Sequence, residues 1–378
     1  MRIYLDNNAT TAVHPDVLRV ACDAMRDVFG NASSIHKEGQ SARRLIEDAR
    51  EPVARLLSAT AREIVFTSGG SESNNAAIFG AVPQGGSHHI VTTAIEHPSV
   101  AEAVAALARR GCEVTIVPPS RSGIVEAQRV IDAIRDDTRV VAMMLVNNET
   151  GVVQPVAEVG RVCRDRGIHL HCDAVQAAGK INIDVEQLGV DTLALSAHKI
   201  HAPKGIGALY VRRGTTLEPL IAGGAQERRR RAGTENVPLA AAFGIAATLA
   251  ADVSVRPVIA SLRNRFESAL HQRFGIGVVF HGADAERVPN TSSVMFRGAD
   301  AEGIAIALDL EGIAVSTGSA CSSGRVEPSG VLLAMGLSAQ EAKSTVRVSL
   351  SRFTTGEEIE RVVEVLGSVV PRCAVKPE

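Results

Sequence analysis

The sequence predicts an α/β protein in two parts, a large domain whose sheet is flanked by helices and a small α+β domain. Three observations carry this. Between Glu63 and Val211, short apolar runs alternate with helix-period segments, the pattern of a sheet covered on both faces. Polar clusters close successive runs, and the carboxyl ends of strands are where open α/β sheets bind ligands. At 378 residues the chain exceeds what one hydrophobic core usually holds. The return to the small domain is expected near Val253 to Pro257, giving a large domain over 15–254 and a small one from 1–14 and 255–378.

Composition narrows the function classes. A hydrophobic share of 45% can fill both cores, and a formal charge of -2 gives no general pull toward nucleic acid or an anionic membrane. No apolar run nears the roughly 18 residues that span a bilayer. The start, Met1 to Asp6, lacks the apolar core of a signal peptide, so the expected location is cytoplasmic. Six scattered cysteines without C-x-x-C suggest neither a disulfide framework nor a structural zinc site.

Taken in order, YLDNNATT (Tyr4 to Thr11) is a short apolar start followed by a polar turn, either a plain terminal loop or a cleft lining. Pro15 and Asp16 open a helix that Gly30 can stop. A second helix is expected from about Ser41 to Leu57, kinked or split by Pro52. Strands are expected at Glu63 to Thr67, His89 to Thr93, Glu113 to Val117, Arg139 to Val146, Ile168 to Cys172 and Ala208 to Val211. Helices are expected near Pro98 to Arg109, Ala127 to Arg135, Pro155 to Arg166 and Val237 to Ala251. Beyond them come helices near Val258 to Phe274, Ala301 to Gly312 and Glu357 to Val370, with strands near Gly277 to Phe280, Ser292 to Phe296 and Val346 to Ser351.

The chemistry-bearing clusters fall at the joints. SGGSESNN (Ser68 to Asn75) leads from strand to helix, and free N–H groups at a helix start suit a phosphate, although the motif is neither a Walker loop nor G-x-G-x-x-G. Ser196-Ala197-His198-Lys199 closes the run Leu193 to Leu195 and delivers a hydroxyl, an imidazole and an amine together. An amine desolvated there can form a Schiff base with a carbonyl compound; Lys204 is its rival. His169 and His171 share a strand face, which a buried parallel strand accommodates without metal. Arg228 to Arg231 read as a solvated face, or as anion holders at a cleft mouth or interface. Cys321 stands among small residues that offer little packing and reads as an exposed thiol on a mobile stretch.

Together these motifs resemble a cysteine desulfurase of the nitrogen-fixation and iron-sulfur-assembly type, within the fold type I pyridoxal phosphate (PLP) enzymes. YLDNNATT, SGGSESNN, EHPSV, NNETG, DAVQ, SAHK, RAGTEN, GSACSS and VRVSLSRFTT follow the family's order from residue 4 to 355. The resemblance implies a fold type I large domain with a mostly parallel mixed sheet, plus a small α+β domain. It implies that Lys199 carries PLP, Asp173 pairs with the pyridine nitrogen, Gln176 and Asn148 serve the ring's phenolic oxygen and its surroundings, and His97 stacks on the ring. Gly70, Ser71, Ser196 and His198 are implied to hold the phosphate, with Thr234 reaching it from the second subunit of a homodimer. Arg347 is the implied partner of the substrate carboxylate and Cys321 the sulfur acceptor. His201-Ala202 stands where the family more often has tyrosine and glycine, and Ser71 where threonine is commoner; His201 is expected to bear on substrate access.

Each role has a physical reason. A buried aspartate keeps the ring nitrogen protonated, so the cofactor remains an electron sink. The guanidinium fork of Arg347 matches a carboxylate. Cys321 must lose its proton to attack sulfur, and His97 is one candidate to take it. The implied reaction converts L-cysteine to L-alanine and leaves a persulfide on Cys321 for a sulfur acceptor or an iron-sulfur scaffold protein. The resemblance leaves the sulfur's destination open between nitrogenase clusters, general iron-sulfur assembly and tRNA thiolation; no resident metal is expected, with Cys321 a transient iron-sulfur ligand at most. The alternatives are a selenocysteine lyase or aminotransferase on the same fold, or a catalytically silent scaffold or sulfur-carrier binding protein. A dehydrogenase lacks its dinucleotide loop.

Overall fold

The computed structural model describes residues 2–83, 85, 88–317 and 327–375. The chain opens with β1 (Ile3–Tyr4), α1 (Pro15–Asp27) and α2 (Lys37–Arg55). It then alternates through β2 (Ile64–Thr67), α3 (Gly70–Ala81), β3 (His89–Thr93), α4 (Pro98–Ala108), β4 (Glu113–Val117), α5 (Ala127–Asp132), β5 (Thr138–Ala142), α6 (Val156–Arg166) and β6 (His169–Asp173). The short α7 (Val185–Leu188), β7 (Thr192–Ser196), β8 (Gly207–Val211), the single turn α8 (Gln226–Arg229) and α9 (Val237–Ala250) complete the large part.

Among the described residues, β2 to β8 form one sheet in the order β2-β8-β7-β6-β5-β3-β4. Strand β8 runs antiparallel to β2 and β7, and every other pair is parallel. The carboxyl ends of β2, β3, β5, β6 and β7 therefore all face one side. β2, β3, β7 and β8 are buried along their whole length, as strands covered by helices on both faces must be, while the edge strand β4 is partly exposed. α2 begins four residues before the expected start and is not split. Pro52 falls in its last turn, where the missing N–H costs only one bond near an end that already lacks partners.

The rest of the chain comprises α10 (Val255–Phe274), β9 (Val278–Phe280), β10 (Thr291–Phe296), α11 (Ala301–Leu310), β11 (Ile313–Ala314), β12 (Ser316–Thr317), α12 (Gly330–Ala334), α13 (Ala339–Lys343), β13 (Thr345–Ser349) and α14 (Gly356–Arg372). An antiparallel sheet in the order β12-β13-β10-β9 packs on α10, α11 and α14 around Phe266, Phe296, Leu308, Val348 and Leu366. Burying each such side chain contributes about 1.5 to 3 kcal/mol. β1 pairs in parallel with β11, and Ile3 and Leu5 join this second core. One segment departs from the expected division: Val331 and Leu332 on α12, Met335 just after it and Ala342 on α13 pack into the large core. No single helix among the described residues is long and apolar enough to cross a membrane.

Candidate functional site

A cavity of about 270 Å³ opens at the carboxyl ends of the parallel strands. Each strand end supplies part of its wall: Gly70 and Ser71 after β2, His97 after β3, Asn148 after β5, Asp173 ending β6, Ser196 ending β7, and His198 and Lys199 just beyond it. Gln176, Arg347, Asn8, Ala9, Asn74 and Ser99 also line it.

One end is built for an anion. Gly70 begins α3, so unsatisfied N–H groups and the helix dipole face the cavity. A Cβ on Gly70 would lie 2.9 Å from Val175 Cγ2, and one on Gly207 would lie 2.6 Å from the Gly69 carbonyl carbon and from the Leu195 oxygen. Only glycine lets β8, β7 and the start of α3 close this tightly. Ser196 adds a hydroxyl and His198 an imidazole, whose pKa burial pushes down to about 4, with Lys199 and Lys204 adding to the effect. His198 is therefore neutral at pH 7, and its Nδ1 lies 3.1 Å from Thr10 Oγ1.

At the floor, Asp173 is buried, accepting from Val175 N–H at 3.0 Å and from Asn74 Nδ2 at 2.7 Å. Lys199 Nζ donates to the backbone oxygens of Asn8 and Ala9, the latter at 2.8 Å. Gln176 Nε2 donates to the same Asn8 oxygen at 2.9 Å, while its Oε1 accepts from Lys180 Nζ at 2.6 Å. His97 caps α4: its Nδ1 accepts from Ser99 N–H at 3.1 Å and lies 2.7 Å from Ser99 Oγ. Burial lowers the His97 pKa, Asp173 opposes this and Lys199 adds to it. Arg347 is buried, donating from Nη1 to the Asn148 oxygen at 3.1 Å and from Nη2 to Asp6 Oδ1 at 2.8 Å, while its buried Nε has no partner among the described residues.

Other expectations resolve differently. Lys204 is exposed and does not line the cavity. His201 lines a second, smaller cavity of about 70 Å³ that shares Lys199, not the main one, so its bearing on substrate access is indirect at most. His171 is held between Thr192 Oγ1 and Asn74 Oδ1, both at 2.9 Å, and His169 lies 2.9 Å from Thr192 Oγ1. Arg228 and Arg231 are paired with Glu47 and Glu72, and Glu227 forms a buried pair with Arg50. Thr234 is exposed, outside the cavity, in the turn before α9. Cys321 lies outside the described residues. Reading the sequence missed Asp6, Asn8, Asn74, Ser99 and Lys180 as site residues. All but Lys180 lay within motifs already singled out, and Lys180 stands one turn after Gln176.

The donor set fits PLP: a helix start with a hydroxyl and an imidazole for phosphate, a buried carboxylate for a ring nitrogen, an imidazole beside it, and an amine for an aldehyde. The aminotransferase class-V family model matches residues 3–362. A cysteine desulfurase of Nostoc sp. is 44% identical over 374 residues, covering 98% of this chain and 93% of the relative. The cysteine desulfurase IscS of Dictyoglomus turgidum is 40% identical over 375 residues, covering 98% and 95%. Among solved structures, one described as a NifS-like protein superposes with a TM-score of 0.90 at 35% identity, covering 98% of this chain and 100% of that one. Another, described as SspA in complex with cysteine, gives 0.84 at 36% identity, covering 94% and 100%.

Proposed function

Since this chain belongs to the aminotransferase class-V family, and within it to the PLP-dependent cysteine desulfurases, we propose that the cavity residues divide the work as follows. Lys199 holds the cofactor through its amine, Asp173 keeps the ring nitrogen protonated, and Gly70, Ser71, Ser196 and His198 take the phosphate. When bound, PLP supplies the electron sink that weakens the bond between the β-carbon and sulfur of L-cysteine. Arg347 receives the substrate carboxylate, and Asn148 and Gln176 orient the ring. The Lys199 amine, beside the site of the substrate α-carbon, would carry the proton removed from it.

Cys321, as thiolate, then attacks the substrate sulfur. A sulfur–sulfur bond forms as the carbon–sulfur bond breaks, the carbon is reprotonated, and alanine leaves. The persulfide on Cys321 passes to an acceptor thiol. His97, the earlier candidate to take the thiol proton, is poorly suited as a base in this geometry, because its Nδ1 is already occupied as a hydrogen-bond acceptor. We further propose a homodimer in which Thr234 reaches the partner's phosphate site, a cytoplasmic location, and an iron-sulfur scaffold or other sulfur-carrier protein as acceptor.

The observation that carries this reading is that Lys199, Asp173, the α3 start and Arg347 line one cavity. Purified protein should show the visible absorbance of bound PLP and release sulfide and alanine from L-cysteine with a reducing thiol. Lys199→Ala should lose the absorbance. Cys321→Ala should keep it and release no sulfide; sulfide from that variant removes the persulfide step.

A further inference from the structure

Asn8 is buried where the two parts of the chain meet, and both polar atoms of its side chain are bonded twice. A backbone carbonyl can only accept, so the atom that faces the Asn148 oxygen, 3.1 Å away, must be the amide nitrogen. The same nitrogen donates to Thr291 Oγ1 at 2.9 Å. The amide oxygen then accepts from Lys180 Nζ at 2.9 Å and from Asn290 Nδ2 at 3.0 Å. Asn290 is held the right way round by the Leu350 carbonyl, to which its Nδ2 also donates, at 3.2 Å.

These partners come from both sheets. Asn148 and Lys180 follow β5 and β6 of the large sheet, beside the residues assigned to the cofactor. Asn290 precedes β10 and Thr291 opens it, and β10 pairs with β13, the strand that carries Arg347. The main chain of Asn8 repeats the pattern: its N–H donates to Ser349 Oγ at 2.9 Å, two residues beyond Arg347, while its carbonyl accepts from Lys199 Nζ and Gln176 Nε2. The Asn148 oxygen that takes the Asn8 N–H also takes Arg347 Nη1. One residue thus ties the strand of the guanidinium to the neighbours of the amine. The span between these two groups matters, because an α-amino acid carries its amine and its carboxylate on one carbon. A fork misplaced by about 1 Å no longer matches both.

We infer that Asn8 is a positioning residue that, by joining Asn148 and Lys180 to Asn290 and Thr291, sets the span from Lys199 to Arg347 and with it the affinity for the α-carboxylate of the substrate. This rests on the reading that Lys199 holds PLP and Arg347 receives the carboxylate. Asn8→Ala removes the side-chain bonds and keeps the backbone carbonyl that Lys199 and Gln176 use. Lys180, Asn290 and Thr291 each retain another partner, in Gln176, Leu350 and Asn290.

The test compares two ligands of the holoenzyme, L-alanine and ethylamine, the second being the first without its carboxylate. Binding is read from the absorbance change of the bound cofactor. Asn8→Ala should retain PLP and weaken L-alanine about five- to thirtyfold, but ethylamine by no more than about twofold. Beside Arg347→Lys, the same substitution should cost L-alanine much less, because the group it positions is gone. Equal losses for both ligands, which a general loosening of the fold gives, overturn the inference. So does an unchanged L-alanine affinity in loaded Asn8→Ala, or a full loss that persists beside Arg347→Lys. If Asn8→Ala does not fold, Thr291→Val decides: it removes one bond between the two sheets and should weaken L-alanine more than ethylamine, and equal or absent losses overturn the inference. A wild-type enzyme that binds no PLP, or binds the two ligands alike, sinks the functional reading and this inference with it.

Discussion

Asp6 and Arg347, which are 341 positions apart in the chain, are joined by a 2.8 Å ion pair at the edge of the cavity. The pair fixes one arm of the guanidinium while the Asn148 carbonyl holds the other, so the fork is aimed before any substrate arrives. Lysine keeps the charge but loses the planar fork. Arg347→Lys should therefore raise KM for L-cysteine by about ten- to hundredfold with a smaller effect on kcat. Asp6→Asn should raise KM less. Steady-state kinetics in both variants checks this, and an unchanged KM in Arg347→Lys removes the carboxylate role.

Lys180 holds the Gln176 amide by its oxygen and also donates to Asn8 Oδ1 at 2.9 Å. Gln176 can then offer the cofactor only N–H. Lys180→Met leaves that amide held, among the described residues, only by the Asn8 carbonyl, and PLP should bind about three- to tenfold more weakly. Titrating apoprotein with PLP measures this. The Gln176→Leu background should abolish the effect, and a loss that persists there shows that Lys180 acts some other way.

Arg50 and Glu227 are both buried and bonded at 2.7 Å and 3.0 Å, with Glu227 also accepting from Phe66 N–H at 3.1 Å. Removing Glu227 leaves the buried Arg50 with only Glu47, at 3.2 Å, and the Ile64 carbonyl as hydrogen-bonding partners among the described residues. Glu227→Ala should destabilise the fold by about 3 to 5 kcal/mol, and Arg50→Met with Glu227→Leu should recover most of it. Denaturant unfolding of the three proteins is the measurement; a single variant within about 0.5 kcal/mol of wild type contradicts the assignment.

Glu96 is buried. Its Oε1 accepts from Thr93 Oγ1 and Met144 N–H, while its Oε2 has no partner among the described residues. Burial is the main reason its pKa rises to about 8. With the folded value above the unfolded one, the protonated carboxyl adds stability below about pH 4.5, and that contribution is lost as pH rises to about 8. Glu96→Gln mimics the neutral form, so wild type and variant should be similar near pH 4.5. The variant should gain by several kcal/mol toward pH 8. A constant difference across that range contradicts a protonated Glu96.

Much of the site could be read from residue types at strand ends. Lys199, Asp173, His97 and Asn148 stand where β7, β6, β3 and β5 stop, because a parallel sheet buried on both faces can place polar side chains only at its ends. The alternation from β2 to β8 was legible for the same reason. The role of Pro52 was not, since its cost depends on distance from a helix end that the pattern placed poorly. The α12–α13 segment packs on the large core although small-domain strands flank it, and apolar periodicity does not say which core an apolar face will meet.

What the sequence alone determined was the succession of strands and helices, the identity of the reactive amine and carboxylate, and the family that the order of motifs resembles. The tertiary structure decided which partners those groups have: Asp6 on Arg347, the Asn8 backbone under Lys199, Lys180 behind Gln176, and Asn74 between Asp173 and Ser99. Periodicity and propensity act over a few residues. A hydrogen bond between residues a hundred or more positions apart exists only once both layers have packed and brought a donor and an acceptor within about 3 Å.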